Sequence, residues 1–266
     1  MSRLRPSDAE KRAQRANSGD FSEALARGLS VINAFDDQRR QMTLSDVARA
    51  VDLPRATVRR ALATLVELGY LEIEGRLFRP APGILRLAIA YLSSNPVSSV
   101  LQPICERISR QVDASCSVAV LDGDEAVMIA RAVPTRPSSV GLGVGYRLPV
   151  FCSALGRVLA STMSDSQLDS YLARLVPVRF TRQTVVSKAE IRRLIFDVRK
   201  KGYALADQEA EVGIRSIAVA LTRFDGKPVA ALNIGVQPEQ VSSRVMIAEY
   251  APLLLREAAA LKRQLV

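Results

Sequence analysis

Residues 43 to 79, TLSDVARAVDLPRATVRRALATLVELGYLEIEGRLFR, leave this part of the chain few folds to choose from. Two short amphipathic segments are separated by a break and followed by an alternating stretch around a glycine. That order is helix, tight turn, helix, hairpin, the pattern of a winged helix-turn-helix, and it makes DNA the first partner to consider. Thr43 is an N-cap with Asp46 three residues on, for a helix whose Leu44, Val47, Ala48 and Val51 share one face. Asp52 breaks that helix and Leu53 plugs the turn. Pro54 takes the first position of the next helix, where a missing N–H costs nothing.

On this second helix Val58, Ala61, Leu62 and Leu65 follow the i, i+3, i+4, i+7 spacing of a core-facing stripe. Arg55, Ala56, Arg59, Arg60 and Ala63 fall on the opposite side, where small alanines permit close approach and guanidinium groups reach phosphates or the guanine edge. Thr57 lies at the border, within reach of a phosphate or a thymine methyl. Gly69 ends the helix, and Glu74-Gly75 is the expected turn of a hairpin that carries Arg76 near its tip, aimed at the backbone or minor groove. The candidate DNA contacts are therefore Thr43, Arg55, Thr57, Arg59, Arg60 and Arg76. An ordinary solvated helix face is the plainer reading of the same arginines, but it does not explain the joint pattern.

A chain of 266 residues has room for a second core. No run approaches the roughly 18 to 20 apolar residues needed to cross a bilayer, and the N-terminus lacks an apolar signal segment, so the expected location is cytoplasmic. The absence of histidine excludes Ser-His-Asp and Cys-His nucleophiles and histidine metal sites. Cys105, Cys116 and Cys152 are too scattered for a disulfide framework and read as core. The net charge of +10 suits nucleic acid, yet it is spread along the chain: Lys+Arg against Asp+Glu is 14 to 11 over residues 1–80 and 23 to 16 over the rest. Local grouping on one helix face, not total charge, marks the DNA surface, aided by a basic, disordered tail at 1–20.

The expected class is α+β: a winged helix-turn-helix domain over 21–81, a linker helix and hinge over 82–99, and a sensor-type effector-binding domain over 100–266. Phe21 to Phe35, with Leu25, Leu29 and Ile32 in helical register, supplies the first helix. GILRLAIAYL is apolar on more than one face and is expected to be buried against another chain or domain, and SSNPVSS at 93–99 is the joint. Beyond it, helices are expected at about 100–112, 153–162, 165–173 and 188–201, and a long one at 241–264. Strands are expected at 116–121, 126–132, 203–207, 214–221 and 229–236.

GLGVG at 141–145 lacks the spacing and the strand-to-helix context of a dinucleotide site, and reads instead as a loop over a pocket. RLPVFCSALGR at 147–157 reads as an apolar loop entering a helix N-terminus, an end favourable to a carboxylate. Ser153, Asp207-Gln208-Glu209, Ser216 and Asn233 are polar candidates for one cavity there, each with a structural role as the alternative.

ALARGLSVINAF, TLSDVARAVDLPRATVRRALATLVELGYL, GYRLPVFCSALGRVLAS, GYALADQEAEVGIRSIAVAL and PVAALNIGV together resemble the isocitrate-lyase-regulator (IclR) family of bacterial transcription factors, from about Ala24 to Leu261. The phrasing looks most like the branch regulating protocatechuate, 4-hydroxybenzoate and β-ketoadipate catabolism. The resemblance implies a dimerising DNA-binding head, a linker helix and a GAF-like α/β effector domain that pairs again into tetramers. By motif position, it places the pocket at Leu148, Ala154, Leu155, Asp207, Ile214, Ser216, Asn233 and Gly235. Relatives with cysteine at the place of Ser216 and serines at those of Asn233 and Gly235 bind very small oxoacids, so a different pocket chemistry is expected. Zinc sites of some relatives need histidine, so no metal is expected, nor any cofactor or catalytic residue. The implied partners are duplex DNA with a palindromic operator, a small carboxylate, further copies of the chain as homodimer or homotetramer, and RNA polymerase. The rival readings are a regulator of a glyoxylate or acetate type of pathway, a DNA-tethered enzyme acting on a small acid, and an architectural DNA binder with no ligand.

Overall fold

The computed structural model describes residues 20–36, 38–94, 96–134 and 143–265. The expected basic tail lies outside the described residues except for Asp20, and so do Gly141 and Leu142 of GLGVG. Two compact units meet in the chain between Tyr91 and Leu92.

The first unit runs α1 (Glu23–Ile32), β1 (Met42–Thr43), α2 (Leu44–Val51), α3 (Arg55–Glu67), β2 (Leu71–Glu74) and β3 (Leu77–Pro80). Thr43 and Asp46 form a reciprocal capping box, with the Asp46 N–H donating to Thr43 Oγ1 and the Thr43 N–H to Asp46 Oδ2. Asp52 ends α2 in the left-handed region, φ 51°. Pro54 sits one residue earlier than expected: it is the extended residue before the helix, and Arg55 is the first helical one. Val58, Leu62 and Leu65 pack with Val31, Val47, Val51 and Leu71 into one core. α3 closes in a Schellman turn, the Gly69 N–H donating to Val66 O and the Tyr70 N–H to Leu65 O, with Gly69 at φ +73°.

Three further details differ from the sequence reading. Glu74 pairs with Leu77, so the hairpin turn is Gly75-Arg76 rather than Glu74-Gly75, and Arg76 is in the turn itself. The two-residue β1 pairs with β3 to give a sheet of order β1-β3-β2; it is too short to show a period in the sequence. Leu25 and Leu29 of α1 point away from the unit's own core, which takes Ser30, Val31 and Ala34 instead.

A short 3-10 turn, Pro82–Ile84, leads into α4 (Leu85–Ser94). None of the side chains of α4 is buried, and Leu85, Leu87, Ile89 and Tyr91 are all exposed, so its expected burial is not met within one chain. The start of α4 is fixed on the end of α3. Arg86 donates from Nη2 to Leu68 O at 2.8 Å and from Nε to Gly83 O at 3.2 Å, and its guanidinium lies 4.9 Å from the Tyr70 ring centre. A Cβ on Gly83 would fall 2.0 Å from Gly69 O, so only glycine permits this approach. The expected joint at 93–99 is mostly helical, because proline is tolerated at a helix start and α5 begins at Pro96.

The second unit comprises α5 (Pro96–Val112), β4 (Ser115–Asp122), β5 (Glu125–Ala132), β6 (Arg147–Pro149), α6 (Ala154–Ser161), α7 (Asp165–Arg174), α8 (Lys188–Lys201), β7 (Tyr203–Asp207), β8 (Arg215–Thr222), β9 (Pro228–Val236) and α9 (Ala251–Leu261). Its six strands form an antiparallel sheet of order β6-β5-β4-β9-β8-β7. The fold is α+β. The long C-terminal helix expected from about 241 is present and continuous from Ser243 to Leu261; it carries a π segment, Met246–Tyr250, where the Ala251 N–H reaches back to Met246 O. Pro252 has no N–H for a regular helical bond, and the wider turn precedes it. Among the described residues no helix is long and apolar enough to cross a membrane.

The two faces of the sheet are built differently. One packs Val118, Ile217, Val219, Leu232 and Ile234 against Leu101, Cys105 and Ile108 of α5 and Leu253, Leu254 and Leu261 of α9. The other presents Ala119, Ala126, Ala204, Ala206, Ala218 and Ala231 to Leu155, Val158 and Leu159 of α6. Small side chains let α6 lie close on the sheet. Its own Gly156 is pressed against the preceding loop, since a Cβ there would fall 2.3 Å from Val150 Cα. Ser153 caps α6, accepting from the Gly156 N–H at 3.1 Å and donating to Pro149 O.

Behind α6 a buried ion pair ties the surrounding loops together. Arg157, 2% exposed, donates from Nη1 and Nη2 to Glu209 Oε1 and Oε2 at 2.5 and 2.6 Å, and from Nε to Phe151 O at 3.0 Å. Thr184 Oγ1 donates to Glu209 O, and the Val185 N–H to Glu209 Oε2. Glu209 follows Gln208, a left-handed residue at φ 55°, so a strained turn aims the carboxylate inward. Arg157→Met should cost about 3–5 kcal/mol in urea unfolding, because it leaves Glu209 buried and unpaired. Adding Glu209→Leu to it should recover much of that loss, and equal destabilisation by the single and double variants would contradict this account.

Candidate functional site

The reading face of α3 is open. Arg55, Arg59 and Arg60 are exposed, as is Arg76 in the wing turn, and Thr57 is half-buried at the α1 side. Among the described residues these four arginines enter no ion pair, whereas Arg79 on β3 is held by Glu72 and Glu74. Thr43 serves the cap of α2, its hydroxyl donating to Asp46 Oδ2 at 2.7 Å. A helix with free guanidinium groups and small Ala56 and Ala63 between them is able to enter a major groove, with the wing beside it.

The same unit carries an apolar groove of about 530 Å³ between α1, α3 and the start of α4, walled by Leu25, Leu29, Ile32, Ala61, Leu68 and Leu87. Gly28 opens onto it, with no atom within 4 Å of where a Cβ would lie.

In the second unit a cavity of about 100 Å³ lies where the alanine paving between sheet and α6 stops. Two polar rows cross the sheet there. In the first, Arg131 of β5 pairs with Ser117 of β4, and Ser117 with Asn233 of β9. In the second, Ser115 pairs with Gly235, and Gly235 with Ser216 of β8. Leu148, Met128 and Ile214 supply apolar wall, and Cys152 and Ser153 bring in the loop before α6. Ser117 is 2% and Asn233 7% exposed, and Asn233 Oδ1 has no hydrogen-bond partner among the described residues. Such an acceptor, shut away from bulk water, is suited to a donor on a ligand. At about 100 Å³ the space is smaller than the roughly 150 Å³ that takes a benzene ring, so an aromatic acid needs the wall side chains to give.

Of the pocket residues expected from the family resemblance, Leu148, Ile214, Ser216, Asn233 and Gly235 line this cavity, and Ala154, Leu155 and Asp207 do not. Alternation along β7 puts Ala206 on the cavity side and Asp207 on the other, where it accepts from Arg215 Nη2 at 2.8 Å. Ala154 and Leu155 are buried in the packing of α6 on the alanines. From Asp207-Gln208-Glu209, only Glu209 reaches the wall.

Arg131, Ser117 and Met128 were not singled out from the sequence. Strict alternation from Ala126 and Met128 would turn Arg131 outward, but a β-bulge at Ile129 resets the phase: Val118 pairs with Ala130 and Ala119 with Met128. Arg131 therefore faces inward, half-buried. Burial pushes its pKa down from the ordinary arginine value, opposed by the nearby Tyr146 and by the Glu211 carboxylate.

Among the described residues that line the cavity, none is armed for covalent chemistry. Burial pushes the Cys152 thiol up to about 12, against the neighbouring Arg157, so it carries no thiolate at neutral pH. Cys105 and Cys116 are buried free thiols. No cluster of His, Cys, Asp or Glu able to hold a metal occurs among the described residues.

Two family descriptions match this chain: the IclR helix-turn-helix domain over residues 24–75, and the bacterial transcriptional regulator IclR C-terminal domain over 89–263. The Pca regulon regulatory protein of Pseudomonas putida is 39% identical over 247 residues, covering 92% of this chain and 85% of that protein. The p-hydroxybenzoate hydroxylase transcriptional activator of Acinetobacter baylyi is 31% identical over 248 residues, covering 91% and 92%. Among solved structures, a transcriptional regulator from Rhodococcus sp. RHA1 is similar at a TM-score of 0.80 and 40% identity, covering 91% of this chain and 97% of that one. An IclR homolog complexed with 4-hydroxybenzoate, from Microbacterium hydrocarbonoxydans, is similar at a TM-score of 0.73 and 28% identity, covering 90% and 96%. These are regulators and not enzymes, and both halves of the chain match them. With a winged helix-turn-helix head and an effector-binding second unit, this chain is a DNA-binding transcriptional regulator and belongs to the IclR family.

Proposed function

We propose that this regulator controls genes of aromatic-acid catabolism in the cytoplasm, and that a small carboxylate in the second-unit cavity sets its hold on a palindromic operator. The observation that carries the effector part is the polar row Arg131–Ser117–Asn233 set in an otherwise alanine-paved interior. Relatives named for the Pca regulon and for p-hydroxybenzoate hydroxylase, and a similar structure holding 4-hydroxybenzoate, support an aromatic acid. In this reading residues 21–81 are the reading head, 82–99 the linker and 100–266 the sensing module, with RNA polymerase as a further partner at the promoter. The effector must bind one arrangement of subunits better than another, since equal affinity for both shifts nothing.

DNA contact is assigned to Arg55, Thr57, Arg59, Arg60 and Arg76, with Thr43 supporting the start of α2. Two copies would set their recognition helices roughly 34 Å apart, one turn of duplex, or a multiple of it. The groove walled by Leu25, Leu29, Leu68 and Leu87, together with the exposed apolar face of α4, is assigned to a second copy, giving a homodimer and through the second unit a homotetramer.

Three outcomes are expected. Arg59→Ala should lower operator affinity by about 1–3 kcal/mol in a gel-shift titration while leaving the melting temperature unchanged; an unaltered shift removes Arg59 from the interface. Leu29→Glu should turn the dimer into monomer in sedimentation velocity, and an unchanged oligomer would clear that groove of the role. In a thermal-shift screen, 4-hydroxybenzoate or protocatechuate at 100 times its Kd should add about 2.7 kcal/mol of stability; glyoxylate alone raising the melting temperature would move the protein to the small-oxoacid branch.

A further inference from the structure

The effector reading leaves open which group takes the acid's charge, and the following rests on that reading. We infer that Arg131 is the carboxylate anchor of the cavity, with Asn233 set to receive a hydrogen-bond donor at the ligand's other end. Arg131 and Asn233 stand in one lateral row with Ser117 between them, so their backbones are two strand spacings, about 9–10 Å, apart. That span accommodates a ring or a short chain with the acid at one end and a hydroxyl at the other.

The stem of Arg131 is fixed before any ligand arrives. Gln102 of α5 grips its backbone on both sides, Nε2 donating to Arg131 O at 3.0 Å while Oε1 accepts the Arg131 N–H at 3.1 Å. Guanidinium Nη1 lies 3.7 Å from Met128 Sδ, itself part of the cavity wall, so the group is held along the sheet and not turned out to solvent. A pre-set anchor loses little freedom on binding. Of the two carboxylates that line the cavity, Glu209 has both oxygens occupied by Arg157, and Glu211 is exposed and acts on Arg131 by its charge. The second observation is independent: Asn233 Oδ1 is enclosed in the cavity without a partner among the described residues, and a hydroxyl on the ligand satisfies it. The ligand class that follows is a small acid bearing a donor on the side away from its carboxylate.

Calorimetric titration of the full-length protein with 4-hydroxybenzoate and protocatechuate, each against its neutral amide, tests this. For the acid that binds, wild type should prefer acid over amide by roughly 10- to 100-fold, the worth of a charge-assisted bond. Arg131→Met should abolish the preference. Arg131→Lys should keep part of it, because an ammonium retains the charge and loses the planar fork. An acid affinity in Arg131→Met equal to wild type overturns the anchor and leaves the effector reading standing. Failure of both acids to bind wild type overturns both readings. If Arg131→Met does not fold, Arg131→Lys decides, and an affinity for the acid indistinguishable from wild type overturns the inference.

Discussion

The close seating of α6 on the sheet governs the sensing unit. It depends on small side chains on both partners: a floor of alanines on β4, β5, β7, β8 and β9, and Gly156 on the helix, pressed against Val150. Larger residues would lift the helix by the width of a methyl or more, and interiors tolerate such changes poorly. Where the floor changes from alanine to Ser, Asn, Gly and Arg, the close contact ends and a cavity begins. The cavity and the close packing therefore share one boundary on a single surface. The Arg157–Glu209 pair secures the far side of the same helix, so α6 is pinned from below by apolar contact and from behind by charge.

Much of this was legible in the chain. The head could be read almost to the residue because its signals are local: a capping box, a left-handed break at Asp52, a 3.6-residue stripe and a glycine stop at Gly69. Lys188–Lys201 and Tyr203–Asp207 were likewise bounded by their own residues, with Gly202 between them. What escaped was whatever depends on distant partners. β1 exists only because Met42 and Thr43 meet Phe78 and Leu77. The wing turn shifted by one residue because cross-strand register, and not the position of a glycine alone, decides which residues turn. Arg131 was hidden by one extra residue at Ile129, a local irregularity that reverses which side chains face inward. Asp207 failed as a wall residue for the complementary reason: strict alternation was kept, and it put that carboxylate on the far side.

Arginine does two kinds of work in the two units. In the second, Arg147, Arg174, Arg192, Arg193 and Arg199 each face a carboxylate, and exposed pairs of this kind add little stability apiece. They neutralise the surface more than they hold it. On α3 no such acids stand opposite among the described residues, and the cationic face stays open. The local arrangement of acids, which the total of +10 does not reveal, is what separates a binding face from a solvated one.

The Arg86 clamp has a mechanical meaning. Because it fastens the first turn of α4 to the Leu68 carbonyl at the end of α3, with Gly83 jammed against Gly69, these two segments behave as one bent lever. A helix of 13 residues is about 20 Å long. Twisting the lever by some ten degrees at its hinge therefore swings the opposite tip, where Arg55 sits, by roughly 3 Å, as far as a hydrogen bond is long. Modest torque on one arm is therefore enough to displace the far tip of the other by that distance.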